Sequence, residues 1–399
     1  MPVRPLTEAD FAAALELDSR AFGFDLTDEL IDTLGRPTLR SGRNIGAYED
    51  DRLVSLGMIL SKSITLPGRV VAPVAAVTWI SVSPDRGGRG LLRELMQHQL
   101  HGLHDTGGEA IAALTASESG IYGRFGYGVA VEQADAEVAI PTRLHRGLAP
   151  EPVREQTLDE ALALMREIYE RVRTTRIGYL TRDDLTWFAL FTDVQPPGRS
   201  GGKLRIAVHP DGYLAFRVQN DDDRRGPRQV LQVRELCAAT PAATVALWAH
   251  VLRRPLAREL RYPRFGPGEV LRDLLVDPRA AVLTTRDHVW IRLVDLDRAL
   301  GLRRYRHDVR AILEVRDAFC PWNAGRWLFE VRDGVGTAVR TDAAADVTLD
   351  IAELGAAYLG GQPLSRLAAA GLVTGDVGVI EALDAAFLEP RLPYCPEGF

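Results

Sequence analysis

Residues 74–96 read VAAVTWISVSPDRGGRGLLRELM, and the way this stretch folds decides the class of the whole chain. Its first nine residues, Val74–Val82, are apolar and rich in β-branched side chains, which predicts a strand buried on both faces. Ser83–Gly90 then supplies a proline and three glycines, a segment that can only turn. From Leu91 onward Leu92, Leu95, Met96 and Leu103 recur at three- and four-residue spacing, the signature of a helix that stops at Gly107–Gly108. AIAALTAS at 110–117 follows as another strand, so the order is strand, glycine turn, helix, strand: an α/β unit. The helix opens with unpaired backbone N–H groups and the positive end of its dipole. Arg86 and Arg89 add charge, and a pyrophosphate fits such a turn. A solvated turn with two surface arginines, or an RGG-type RNA contact, are the other readings of these residues.

Upstream, Thr7 is placed to cap a helix through about Phe22, with Asp10 three residues on. IGAYEDDRLVSLGMIL at 45–60 reads as strand, acidic turn at Asp50–Asp51, strand. Downstream, the proline- and arginine-rich IPTRLHRGLAPEPVREQ at 140–156 looks like a linker. A second α/β rhythm follows: a helix at 158–174, strands within 204–219 and 228–239, and a helix at 241–254. It has no counterpart of RGGRG and reads as a duplicate without a cofactor site. From His288 the pattern becomes strands and then helices, a compact α+β module. The 399 residues exceed what one core sustains, and the expected domains are 1–143, 150–286 and 287–399.

The formal net charge of −6 gives a phosphate backbone no global attraction, so nucleic acid is not an expected partner. Cys237, Cys320 and Cys395 lie far apart without CxxC spacing, which suits buried thiols in a reducing compartment. No signal-peptide core and no run of about 18 apolar residues is present, so a cytoplasmic protein without a membrane partner is expected. His98, His101 and His104 share a helix, but no cysteine or carboxylate cluster completes a metal site; they read as packing, and no metal is expected.

SESGIYGRFGYGVA at 117–130 sets Tyr122 and Tyr127 among four glycines, with Arg124 and Phe125 between them. Together with VTWISV, SPDRGGRGLLRELM and IAALTAS, in that order, it resembles the acetyl-CoA-binding half of the GNAT acetyltransferases. The whole chain is similar to the Eis (enhanced intracellular survival) family. The resemblance implies tandem GNAT folds built on a mixed, splayed central sheet, the second degenerate, followed by an α+β domain like the sterol carrier proteins. It implies acetyl-CoA as cosubstrate and a homo-hexamer. It places the pantetheine arm along Ile80, Ser81 and Val82, the pyrophosphate on Gly87, Gly88, Arg89, Gly90, Leu91, Leu92 and Arg93, and a second cofactor contact at Ser117 and Glu118. The family pattern begins with Arg or Gln where this chain has Gly87 and ends with Gly or Ala where it has Leu92; the cation is displaced to Arg86. Tyr122 matches the family's general acid, and the terminal carboxylate of Phe399 its general base. Tyr127 reads as packing.

Acetyl transfer to an amine needs a free lone pair, a donor for the oxyanion and a proton for the thiolate. The backbone N–H of Val82 is a candidate for the oxyanion. A phenol with a pKa of about 10 is protonated at neutral pH but must be well positioned to protonate a thiolate. An α-carboxylate, with a pKa of about 3.3–3.7, is ionised and a weak base, suited to holding an ammonium and taking its proton directly or through water. A tail such as RLPYCPEGF is ordinarily frayed, yet its prolines, Tyr394 and Phe399 favour a docked one. For an aminoglycoside or a similar polyamine the pocket candidates are Phe22, Phe24, Asp25, Thr78, Trp79 and Glu397. Glu397 stands two residues from the end, with Gly398 where relatives carry an acid, and the tryptophan expected in the second helix is absent. A protein lysine or another small amine is the alternative acceptor, and a catalytically silent ligand-binding scaffold the alternative class.

Overall fold

The apolar run forms the middle of a strand, and the glycine turn releases a helix onto its face. A computed structural model describes residues 3–192, 202–221 and 226–399, which divide into two units. The first comprises the described chain up to Val131, Leu180–Ala189 and Asp287–Phe399; the second comprises Glu132–Tyr179 and the described part of Leu190–Arg286.

In the first unit β1 (Val3–Pro5), β2 (Arg43–Glu49), β3 (Arg52–Leu66), β4 (Val70–Val82) and β5 (Ile111–Thr115) lie side by side in that order. Asp50 and Asp51 take positive φ angles of 49° and 62° between β2 and β3, the tight hairpin turn the acidic pair suggested. Residues 289–293 run antiparallel beside β5, from Val289 opposite Thr115 to Leu293 opposite Ile111. This neighbour comes from far along the chain, and no local pattern announces it. Asp10 accepts the Thr7 N–H at 2.8 Å across a single 3-10 turn, after which α1 (Phe11–Phe22) begins. α1 packs Phe11, Ala14, Leu15 and Leu17 against Leu53 and Leu56. α2 (Leu91–Asp105) lays Met96, Leu100 and Leu103 on Ile59, Ala75, Val77, Ala112 and Leu114. Each such fully buried side chain contributes about 1.5–3 kcal/mol.

Two irregularities open this sheet. β4 and β5 are parallel and register only at Ala75–Ala76 against Ala112–Ala113; beyond, β4 continues to Val82 and β5 to Thr115 without pairing each other. On the other edge of β4, Ser81 opposes Leu56 while Thr78 opposes Met58, so one extra residue bulges out opposite Gly57. Trp79 sits in the bulge with φ of 51°, the left-handed region a bulky side chain rarely adopts. Strain of this kind, about 1–3 kcal/mol, persists where surroundings enforce it.

The remainder of the first unit is a five-stranded sheet in the order Val335–Arg340, Gly325–Arg332, Val309–Arg316, Val347–Asp350, Thr374–Gly375, with the third and fourth parallel. The helices Leu296–Leu302, Ile351–Ala357, Leu364–Ala369 and Val377–Phe387 accompany it, while residues 289–293, expected at the start of this module, belong to the first sheet beside β5.

The second unit repeats the plan. Residues 229–232 pair in parallel with 257–261, and Gly212–Asn220, Arg205–His209 and Arg154–Gln156 extend the sheet antiparallel. Helix Pro241–Leu252 places Trp248 in a core with Tyr262 and Phe265. Its N-terminus closes on itself: the Thr240 hydroxyl accepts the Ala243 N–H at 3.2 Å, and Pro241 has no N–H to offer. That is the physical content of the missing glycine turn. All three cysteines are buried thiols. Among the described residues no helix is long and apolar enough to cross a membrane.

Candidate active site

Where β4 and β5 part, a cavity of about 160 Å3 opens, lined by Asp18 and Phe22 of α1, Val77, Thr78, Trp79 and Ile80 of β4, Leu114, Thr115 and Ser117 at the end of β5, Tyr122, and Phe399. Phe22, Thr78, Trp79, Ile80, Ser117, Tyr122 and Phe399, all singled out from the sequence, therefore meet in one place. The bulge lies within the wall, at Trp79 and Ile80, next to Val77 and Thr78 of the regular ladder.

The glycine turn follows the C-terminal end of β4. Gly88 and Gly90 take φ of 77° and 84°, and Gly90 is the N-cap of α2, so no side chain caps the helix. A Cβ on Gly88 or Gly90 would meet nothing within 4 Å, leaving the cradle open. The uncapped N–H groups of Leu91, Leu92 and Arg93 are the natural anion donors. The displaced cation is not free to help: Arg86 is held by Glu49 through its Nε and by Asp85 at 2.8 Å. Arg89 stays 55% exposed, 3.5 Å from the same Glu49, and Arg93 is exposed above the Phe319 ring. Arg89 and Arg93 are thus the side chains available to a phosphate. Ser83 donates its N–H to Val54 at 2.9 Å; by the alternation of an antiparallel ladder, the N–H of Val82 points away from β3 into the opened side of the sheet. Ser81 turns its hydroxyl the other way, toward Asp18. Glu118 is exposed beyond the cavity.

Tyr122 opens a 3-10 turn, Tyr122–Phe125, that follows β5. Phe125 anchors the turn against Phe319 with ring centroids 5.0 Å apart. Gly128 is dictated by close approach: a Cβ there would stand 1.8 Å from the Ala352 carbonyl oxygen of helix Ile351–Ala357. The glycines of GIYGRFGYG thus let this segment bend tightly and dock closely, and the bend aims Tyr122 into the cleft. Tyr122 is 9% exposed, and burial, helped by the negative charge of Glu118, raises its phenol above the ordinary value. Tyr127 is wholly buried, edge-on to Tyr122 at 6.1 Å, in a packing position.

The end of the chain is threaded inward. Tyr394, Cys395 and Glu397 are buried. His288 meets the Cys395 carbonyl at 2.9 Å, and Glu397 forms a 2.6 Å ion pair with Arg182 in which both side chains are shielded from water. Thr115 then clasps the last residue twice: its hydroxyl donates to the Phe399 carbonyl oxygen at 2.5 Å and accepts the Phe399 N–H at 3.2 Å. Thr115 escaped the sequence reading, in which it was simply a strand residue.

Three expected pocket residues are elsewhere. Gly23 ends α1 in a left-handed conformation with φ of 67°, the Phe24 N–H returns to Ser19, and Phe24 and Asp25 are left exposed and off the cavity wall. Glu397 spends its carboxylate on Arg182 and does not line the cavity. Asp18, which the sequence did not single out, does line it. Of the α2 histidines, His101 meets the Phe319 carbonyl at 3.2 Å and His104 bonds Asp295 at 2.5 Å while stacking on Trp322; His98 lies on the open face of the helix. Among the described residues no group of three potential metal ligands gathers.

Comparison with known proteins agrees with this layout. Residues 2–130 match a family model described as an acetyltransferase (GNAT) domain, 178–293 match a second such model, and 296–396 match a sterol carrier protein domain. An N-acetyltransferase of Streptomyces avermitilis is 34% identical over 410 residues, covering 100% of this chain and 99% of its own. The N-acetyltransferase Eis of Mycobacterium tuberculosis is 34% identical over 371 residues, 90% of this chain and 88% of its own. The crystal structure of Eis1 from Mycobacterium abscessus superposes with a TM-score of 0.87 at 30% identity, covering 100% of both chains.

Proposed function

Because the chain belongs to the Eis family of GNAT N-acetyltransferases, we propose that it moves the acetyl group of acetyl-CoA directly to a primary amine of an aminoglycoside or a similar polyamine. The observation that supports this reading is the double clasp of Thr115 on Phe399, which holds the last residue on the cavity that Tyr122 also lines. A base and an acid on one small cavity are what a direct transfer between two bound substrates requires.

Acetyl-CoA supplies the acyl group as a thioester; the rest falls to the chain. The uncapped N-terminus of α2 holds the pyrophosphate, with Arg89 and Arg93 beside it. The terminal carboxylate of Phe399 holds the acceptor's ammonium and takes one of its protons, freeing the lone pair that attacks the acetyl carbon. The Val82 N–H faces the oxyanion. Tyr122 gives its proton to the departing sulfur as the C–S bond breaks. The new amide sheds one proton, Tyr122 is reprotonated, and the net yield is amide, free thiol and one proton to solvent. Each acid or base contribution of this kind is typically about 10²–10⁴-fold.

The test is thiol release with a panel of aminoglycosides for the intact protein, for Tyr122→Phe and for a version extended beyond Phe399. The reading requires both altered proteins to be slowed by at least about 100-fold. Full activity of the extended protein would remove Phe399 from the mechanism, and full activity of Tyr122→Phe would give the last proton to water.

A further inference from the structure

The amine acceptor must be held before it can react, and the two acids expected to do so, Asp25 and Glu397, are off the cavity. We propose instead that Asp18 is the acceptor-binding carboxylate, which together with Phe399 makes this cavity a site for a slender alkylammonium arm. This rests on the amine acetyltransferase reading above and adds to it a residue and a substrate shape.

Asp18 is an anomaly in its own helix. It stands on the buried face of α1 among Phe11, Ala14, Leu15 and Leu17, where the amphipathic pattern calls for an apolar residue. It is only 6% exposed, yet it lines the cavity, as does Phe22 one helical turn further on. Among the described residues its single hydrogen bond is from the Ser81 hydroxyl to Oδ1 at 2.5 Å, and no cation holds it. A buried carboxylate without a cation is costly, and proteins keep one where a ligand supplies the missing charge. Burial raises its proton affinity, against the pull of the Ser81 bond.

The surroundings define what arrives. Phe22, Val77, Trp79, Ile80 and Leu114 offer hydrocarbon or ring faces, and Thr78, Thr115, Ser117 and Tyr122 offer hydroxyls, so among the described residues Asp18 is the only ionisable carboxyl side chain on a mixed wall that Phe399 also lines. At about 160 Å3 the cavity has room for the reacting end of an acceptor, an ammonium with a few methylenes behind it. The arm that enters the cavity is therefore a primary amine on an unbranched stem, its ammonium between two carboxylates and its methylenes against Trp79 and Ile80, with the rest of the acceptor outside. Ser81 keeps Asp18 turned inward, and because Ser81 belongs to the bulged edge of β4, the same irregularity shapes both substrate subsites.

Asp18→Asn preserves the shape and the oxygen that accepts from Ser81 but removes the charge. Thiol release is followed with 1,5-diaminopentane, cationic at neutral pH, and with methoxyamine, a nucleophile uncharged at that pH, alongside calorimetric titration of acetyl-CoA. The expected result is a KM for the diamine raised about 10- to 100-fold, the worth of a lost charged hydrogen bond, with the methoxyamine KM and the acetyl-CoA affinity unchanged. Asp18→Glu, which keeps the charge, is expected to keep the preference for the cationic acceptor. An unchanged diamine KM in Asp18→Asn, or equal rises for both acceptors, overturns the proposal, the second by reducing Asp18 to a packing element. Should the unaltered protein acetylate no amine, the parent reading falls and this one with it.

Discussion

Thr115→Val tests the placement of the last residue without touching any group assigned to the chemistry. Valine keeps the branched shape and strand preference of threonine but loses both clasps, the 2.5 Å donation to the Phe399 oxygen and the 3.2 Å acceptance from its N–H. A hydrogen bond to a charged group contributes about 1.5–3 kcal/mol and a neutral one about 0.5–1.5. The upstream tail stays anchored by His288 on Cys395 and Arg182 on Glu397, so only Gly398 and Phe399 loosen. The stability loss is therefore confined to roughly 1–2 kcal/mol, the neutral bond and part of the charged one. The catalytic loss is larger, because the carboxylate must occupy one position: the charged bond alone corresponds to about 10- to 100-fold in kcat/KM for the amine. Steady-state kinetics on both substrates decides it, with the acetyl-CoA Kd expected to hold, since Thr115 is not among the residues assigned to the pyrophosphate. A wild-type kcat/KM in Thr115→Val would mean that this clasp does not position the base.

Arg182→Met strips the cation from Glu397 while roughly keeping volume; with both side chains shielded at 2.6 Å, the orphaned carboxylate should lower stability by about 3–5 kcal/mol. Urea unfolding measures this, and a loss under 1 kcal/mol, by the scale of exposed pairs, would refute a dry ion pair. Gly90→Ala forces a side chain into φ of 84° at a cost of about 1–2 kcal/mol. It also crowds the open N-terminus of α2, so calorimetry should find acetyl-CoA affinity reduced by at least about tenfold, and an unchanged Kd would place the pyrophosphate elsewhere. As the proposed acid, Tyr122 would act only while protonated, and burial first, then Glu118, raises its phenol; the alkaline limb of kcat should therefore lie above the ordinary phenol value of about 10. Removing the nearby charge in Glu118→Gln lowers that affinity for the proton, so a pH–rate profile should move its alkaline limb toward lower pH, and a shift upward would contradict the assignment.

What could be read from the sequence was local. Val74–Val82 announced a buried strand because burial on both faces makes it continuously apolar, and Gly88 and Gly90 announced the turn because positive φ is cheap only for glycine. The absence of an RGGRG counterpart in the second unit marked it as lacking the open cradle, and the structure adds why: Thr240 caps that helix where Gly90 leaves the first one open. What could not be read depended on partners distant in the chain. Thr115 is an ordinary strand residue until position 399 reaches it, and Asp18 is an ordinary helical acid until Ser81 and the cavity define its surroundings. Residues 289–293 read as a strand, but nothing in them names β5 as their neighbour. Asp25 and Phe24 failed as wall residues for a reason in plain view, the Gly23 cap, whose direction matters only in three dimensions.

The cavity has no wall that a single segment could build alone. α1 supplies Asp18 and Phe22, the bulged end of β4 supplies Trp79 and Ile80, the turn after β5 supplies Tyr122, and the last residue closes it. Holding a terminus still costs about 1–2 kcal/mol of backbone entropy per residue, which is why most chain ends fray. Here three tethers in five residues, at Cys395, Glu397 and Phe399, offset that cost, and two of them, on His288 and Arg182, reach segments that join the first unit from later in the chain. A terminal carboxylate hangs directly on its Cα, so on the proposed mechanism fixing the backbone there fixes the position of the base. The same logic makes the β4 bulge intelligible, because backbone distortion at Trp79 places wall, oxyanion donor and the Ser81 bond to Asp18 in one movement. On the proposed mechanism, main chain sets the geometry at both the amine and the acyl side, and the glycine-rich stretch from 120 to 128 lets Tyr122 line the same cavity.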